Sequence, residues 1–155
     1  MTTTLSYSTT YAAPFDEVRA MVLDAAFREQ VCEAQHAVSH SVRLEGNTVE
    51  VDYAQSTERA PSFARKLVGD TLPVSQRERW TGGEATVTVT VPGKPGAAEG
   101  TIHLVDLGDS TRQDFRLSVT ARIPLVGGRV ESLIKDLLLK AFEREARVGH
   151  RWLAG

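Results

Sequence analysis

Apolar and polar residues alternate with a period of two along most of the chain. Leu5, Tyr7, Thr9 and Tyr11 interleave with Ser6, Ser8 and Thr10, a β-prone run that predicts a first strand. From Ala37 the alternation returns, with Val38, His40, Val42 and Leu44 on one face and Ser39, Ser41 and Arg43 on the other. Gly46-Asn47 follows, and then Val49, Val51 and Tyr53 alternate again. Two such runs around a Gly-Asn pair predict a tight hairpin, whose first turn position needs positive φ. Thr81-Gly82-Gly83 divides a run ending at Trp80 from Ala85, Val87, Val89 and Val91. Pro92-Gly93-Lys94-Pro95-Gly96 breaks the pattern, and a strand is expected near 100–107, turning at Gly108-Asp109. The last strand is the clearest: Phe115, Leu117, Val119, Ala121 and Ile123 share one face, and Asp114, Arg116, Ser118, Thr120 and Arg122 the other. Parallel neighbours need a crossover of about a dozen residues or more. Between Leu44 and Ile123 only residues 56–74 are long enough, so the sheet is expected to be mostly an antiparallel meander.

Three segments switch to helical spacing. Pro14 suits a first helical turn, Asp16 and Glu17 favour its positive end, and Phe15, Val18, Met21 and Val22 recur on one side. Asp24 reads as a cap, with a second short helix over 25–34. Toward the end Val130, Leu133, Ile134, Leu137, Leu138, Ala141, Phe142, Val148 and Trp152 recur at three- and four-residue steps. Arg129, Glu131, Lys135, Asp136, Lys140, Glu143, Arg144 and Arg147 occupy the opposite side. This is an amphipathic helix of about 25 residues, roughly 35–40 Å long. Its apolar stripe needs a partner surface, and the large one available is the alternating face of the sheet.

Strand, two short helices, a six-strand meander and a long last helix form an order that resembles the START-like or SRPBCC superfamily, the helix-grip or Bet v 1-like fold. Tyr11-Ala12-Ala13-Pro14-Phe15-Asp16-Glu17-Val18 is similar to that family's strand-to-helix entry. Val22-Leu23-Asp24 resembles the break between its first two helices, and Ile123-Pro124-Leu125-Val126-Gly127-Gly128 resembles its passage into the final helix. Within the superfamily the chain most resembles a bacterial branch known only as a domain of unknown function. The resemblance implies an α+β fold, a curved, mostly antiparallel seven-stranded sheet (β-α-α-β6-α) around the C-terminal helix. It spans residues 1–155 as one domain. It also implies a cavity for lipids, sterols, polyketides or other hydrophobic molecules, used by carriers, sensors or cyclase- and hydrolase-like enzymes.

The residues support a cavity independently. A twisted sheet meets a straight helix along a line and diverges on either side. Aromatic residues make up only 6% of the chain, and inward candidates such as Val42, Val51, Val87, Val89 and Val119 are short, which favours a void over a filled gap. Candidate ligand-lining residues on the strands are Val42, Tyr53, Gln76, Glu78, Trp80, Val89 and Leu104, with Phe115, Leu117 and Val119. On the last helix they are Ile134, Leu137, Leu138 and Phe142, and in the segment between the strands Phe63 and Leu67. Tyr53 and Trp80 combine an apolar face with one polar atom able to orient a ligand. Residues 61–69 carry Phe63, Leu67 and Val68 on a helical side with Gly69 as a cap; this short helix is read either as a lid or as a closure of the sheet edge.

Little chemistry competes with this picture. Gln76, Glu78 and Trp80 share a strand face. A buried Glu78 would be a general acid or base; the alternative pairs it with an arginine on a neighbouring strand. His36 and His40 stand four apart, but on a strand their rings would be roughly 13 Å apart. His103 is expected to face solvent, and Cys32 to be inert packing. No metal, cofactor or catalytic residue is assigned. One cysteine excludes an intrachain disulfide, and a net charge of −2 argues against a broad attraction to nucleic acid. The start of the sequence shows no secretory signal, and no run approaches a membrane span, so a cytoplasmic protein is expected, as monomer or homodimer. Three functions remain open: a binder or carrier of a hydrophobic molecule, a cyclase-, dehydratase- or hydrolase-type enzyme using Glu78 or a cavity histidine, and an interaction domain with a filled core.

Overall fold

The computed structural model describes residues 2–155. The order is β1 (Thr3–Tyr11), α1 (Phe15–Val22), α2 (Ala25–Ala34), β2 (Ser39–Glu45), β3 (Thr48–Ser56), α3 (Ser62–Val68), β4 (Thr71–Thr81), β5 (Glu84–Thr90), β6 (Gly96–Asp106), β7 (Thr111–Ala121) and α4 (Gly127–Ala154). The strands form one seven-stranded sheet in the order β1-β7-β6-β5-β4-β3-β2, with every neighbouring pair antiparallel. This is the helix-grip α+β fold. The hairpin turn between β2 and β3 falls on Gly46-Asn47, and Gly46 adopts φ 59°, where a side chain would be strained.

Some boundaries differ from the pattern read along the chain. The sixth strand begins at Gly96, not near Gly100, because Gly96, Ala97 and Ala98 already pair with Ala121, Thr120 and Val119. The Pro-Gly break therefore covers only Val91 to Pro95, closed by the Lys94 amide donating to the Val91 carbonyl. The last strand stops at Ala121, leaving Ile123 outside it, and α4 is 28 residues long. His36 lies before β2 in a turn at φ 55°, so it shares no strand with His40. The His40 ring instead pairs with Glu29 of α2.

One edge of the sheet holds α4. The helix packs most closely on β1, β7 and α2. Gly149 makes this approach possible, since a Cβ there would lie 2.7 Å from the Tyr11 ring. About two turns toward the N-terminus, Phe142 stacks on Phe115 of β7 at 4.2 Å between ring centroids, with Tyr7 of β1 leaning on both. Trp152 meets Phe27 of α2 edge-on at 5.7 Å. Glu131, assigned to the polar side of the helix by spacing, is buried: its carboxylate accepts the Ala121 amide (3.0 Å) and the Thr3 hydroxyl (2.9 Å). These donors hold its carboxyl below the usual range. Five of the ten aromatic residues thus lie along β1, β7 and the C-terminal half of α4.

Tyr11 brings a hydroxyl into this contact that is buried without a hydrogen-bond partner. Such a group costs roughly 1–3 kcal/mol. Tyr11→Phe should therefore leave the urea midpoint unchanged or raise it. Gly149→Ala gains helix propensity but forces a methyl into the Tyr11 ring, for a net loss of roughly 1–2 kcal/mol. A neutral Gly149→Ala would show that the helix does not sit as close to β1 as described.

Candidate functional site

Beyond the Phe115–Phe142 stack the interior opens. The sheet twists away from the N-terminal half of α4, and the residues facing across the divergence are short. A cavity of about 390 Å³ lies there. Tyr53 of β3, Leu72 and Val74 of β4, Val89 of β5 and Ala98 of β6 form its floor, and Leu133, Ile134, Leu137 and Leu138 of α4 its wall. Gln55, Thr57, Arg59, Lys140 and Arg144 surround the mouth. Leu137 remains 42% exposed, because no side chain reaches across to cover it. A second space of about 100 Å³ continues beneath α3, between Ala64, Leu67, Val68 and the same stretch of α4. The volume is in the range of small-molecule sites, and the lining is mainly apolar.

A buried charge cluster closes the inner end. Arg28 of α2 grips Glu78 of β4 in a bidentate pair, Nη1 to Oε2 at 2.9 Å and Nη2 to Oε1 at 2.7 Å. Its Nε donates to the Val22 carbonyl at 2.9 Å. Glu78 also accepts from Gln76 Nε2 (2.6 Å) and Trp80 Nε1 (2.9 Å). Each oxygen of Glu78 therefore already receives two donors. Glu145 of α4 is the third member, with Oε1 3.6 Å from Arg28 Nη1. Burial pushes its carboxyl up to about 7; Arg28 pulls the other way, and Glu78 adds to the rise. Arg28, Gln76 and Glu145 line a chamber of about 20 Å³ whose walls include Gln35 and Tyr53, residues shared with the main cavity.

The sequence candidates divide between these two halves. Tyr53, Val89, Ile134, Leu137 and Leu138 line the main cavity, Leu67 lines the space beneath α3, and Gln76 and Phe142 line the inner chamber. Trp80, Leu104, Phe115, Leu117 and Val119 are buried in the hydrophobic core and line neither the cavity, the space beneath α3 nor the chamber. Val42 lies on edge strand β2, half-buried against Val51. Phe63 points outward from α3, beneath the Arg129 guanidinium at 4.3 Å. Glu78 faces inward as expected, but its arginine comes from α2 and not from a neighbouring strand. With every acceptor position filled it has no place for a substrate proton, which removes it as the catalytic base. None of the four histidines lines the cavity or the chamber among the described residues. His103 stands near Glu84 on the outer face, and burial pushes the Cys32 thiol up to about 11.

Spacing alone concealed Arg28 and Glu145. A charge among charges on an amphipathic helix is assigned to the solvent side by default. A signal was nevertheless present: Glu131, Leu138 and Glu145 stand seven apart, which places both glutamates on the stripe that Leu138 defines. Arg28 stands three and four residues before Val31 and Cys32, on the buried side of its own helix.

Comparison with known proteins agrees with this geometry. A START superfamily protein from Mycobacterium smegmatis superposes with a TM-score of 0.60 and 16% identity, over 95% of this chain and 94% of that one. The Zhui aromatase/cyclase from Streptomyces sp. R1128 gives 0.62 and 12%, over 97% and 90%. Truncated norcoclaurine synthase from Thalictrum flavum gives 0.68 and 15%, over 99% and 94%. The fold is that of the START superfamily. No curated protein matches the sequence. The family model described as "Protein of unknown function (DUF2505)" matches residues 6–153, and the chain belongs to that family.

The charge cluster has a pH signature. An unfolded glutamate titrates near 4.3, whereas folded Glu145 holds its proton up to about 7. Between these values the native state binds a proton that the unfolded chain has released, so stability falls as pH rises through that window. Urea midpoints at pH 5 and pH 8 should show this loss, and Glu145→Gln should flatten it. Parallel profiles for the two proteins would contradict the placement of Glu145. Arg28→Met leaves Glu78 buried without its cation and should cost roughly 3–5 kcal/mol.

Proposed function

We propose that this member of the unknown-function family binds or carries a hydrophobic small molecule, lipid, sterol-like or polyketide-like, in the cavity between the sheet and α4. The observation that carries the reading is the void itself. The chain packs one part of its interior around the Phe115–Phe142 stack and leaves about 390 Å³ beside the exposed Leu137 in the other. A structural core would have closed over Leu137. The solved structures of similar shape include an aromatase/cyclase and a norcoclaurine synthase, which supports a fold able to host a small organic molecule. Binding is favoured over catalysis because Glu78 is saturated by its donors and the cavity wall holds no histidine. The protein is read as cytoplasmic and as a monomer or homodimer. Among the described residues no helix is long and apolar enough to cross a membrane.

Helix α3 is the natural lid. It is seven residues long and ends at Gly69, and Ala64, Leu67 and Val68 cover the side space while few contacts hold it to β4. Its amides should exchange with deuterium faster than those of α4 and slow when the cavity is filled. Exchange unaffected by any bound molecule would leave α3 a fixed closure of the sheet edge.

The binding reading is tested with N-phenyl-1-naphthylamine, an uncharged probe whose fluorescence rises in apolar surroundings. It should bind the wild-type protein in a saturable manner. Ala98→Phe projects a ring from the cavity floor and should weaken binding about tenfold or more while the thermal midpoint holds. Undiminished binding by a folded Ala98→Phe protein would place the probe elsewhere and contradict the proposal.

A further inference from the structure

Glu145 is buried, and it is the member of the charge cluster that its neighbours leave unfinished. Its side chain is 9% exposed, and among the described residues its carboxylate has an ion-pair contact with Arg28 but no hydrogen bond. The nearest cationic atom, Arg28 Nη1, stands at 3.6 Å. Arg28 in turn spends three of its N–H groups on Val22 and Glu78. A guanidinium carries five, so each terminal nitrogen keeps one N–H to spare. The two incomplete partners face the chamber of about 20 Å³ that adjoins the apolar cavity at Gln35 and Tyr53. A buried carboxylate without a hydrogen-bond donor is costly even beside a cation, and here it lines a space that a ligand in the cavity would enter.

We infer that the chamber is a polar subsite for the hydroxyl group of a hydrophobic alcohol or phenol, with Glu145 and Arg28 as its two hydrogen-bonding partners. Three features select that chemistry. The space holds about one water-sized group, which excludes a phosphate, a sulfate or a branched head. A hydroxyl both donates and accepts, and an oxygen about 2.8 Å from each partner fits across their separation. Charge decides the rest. An anionic head would be repelled by Glu145 and Glu78, and a cationic head could use Glu145 but not Arg28, whereas a neutral hydroxyl can hydrogen-bond to both partners at once. Val31, Cys32, Val51, Ala141 and Phe142 complete the walls beside Gln35, Tyr53 and Gln76, and none of these eight carries a charge. Because a hydroxyl can donate to the ionised carboxylate or accept from the protonated one, the subsite serves through the pH range where Glu145 titrates.

This inference rests on the cavity reading, and three probes of similar size separate the two. 2-Naphthol presents a hydroxyl, 2-methylnaphthalene an apolar group of similar shape, and 2-(aminomethyl)naphthalene a cation. Titrated into the full chain and followed by probe fluorescence, 2-naphthol should bind about tenfold or more tightly than 2-methylnaphthalene, as a hydrogen bond to a charged group implies. It should also bind more tightly than the amine. Glu145→Leu keeps the Arg28–Glu78 pair and should abolish the preference for naphthol while leaving 2-methylnaphthalene affinity within about threefold. Equal binding of 2-naphthol and 2-methylnaphthalene by the wild type would overturn the subsite and leave the apolar cavity standing. A preference for the amine, or a Glu145→Leu protein that still selects naphthol, would overturn it equally. If none of the probes binds, the cavity reading and the subsite fall together. The wild-type ratio decides the matter even if the variant does not fold.

Discussion

A straight helix cannot follow a twisted sheet across its full width. In this protein that constraint is resolved at one edge. The 28-residue α4 is drawn onto β1 and β7 by the close approach of Gly149 to Tyr11, by the Phe142–Phe115 stack and by Glu131, whose carboxylate joins these two strands to the helix. Once the helix is committed there, the strands from β3 to β6 twist away from its N-terminal half. The sequence supplies valine, alanine and glycine to that side, so the divergence is left open. Cavity and solid core are two consequences of one distribution of large side chains.

The buried charges fit the same geometry. Arg28 and Glu78 tie α2 to the sheet with complete, bidentate pairing, and Trp80 and Gln76 fill the remaining acceptor positions. A pair so completed specifies where α2 lies more than it adds to stability. Glu145 is different. It reaches the cluster from the helix that also walls the cavity, stops short of a hydrogen bond, and carries a raised pKa because burial outweighs its attraction to Arg28. The interior therefore has an apolar body with one unfinished polar end.

Much of this architecture was legible from alternation alone. Each tight turn, at Gly46-Asn47, Gly82-Gly83 and Gly108-Asp109, separates two runs of period two, and short turns permit only antiparallel neighbours. The antiparallel meander of β2 to β7 follows, whereas the pairing of β1 with β7 has no turn to announce it. Boundaries were less visible where turn-forming residues enter a strand: Gly96 belongs to the Pro-Gly cluster by composition but to β6 by pairing. The site was half legible. Tyr53, Val89, Ile134, Leu137 and Leu138 could be found because apolar spacing assigns them inward. Spacing could not say that Phe115, Leu117 and Val119 face a filled region, since that depends on where the aromatic residues of other elements converge. Nor does it distinguish a glutamate on the buried stripe from one in water, because the partner that makes burial tolerable lies more than a hundred residues away, on α2.

The central claim is that the gap between α4 and strands β3 to β6 persists as an apolar space in the folded protein. A crystal of the protein pressurised with xenon tests it most directly, since xenon enters dry apolar cavities without needing a polar partner. The account requires xenon density between Val89, Ala98, Ile134 and Leu138, with none beside the Phe115–Phe142 stack. A structure in which α4 has settled against β4 and β5, leaving no room for the gas, would contradict it.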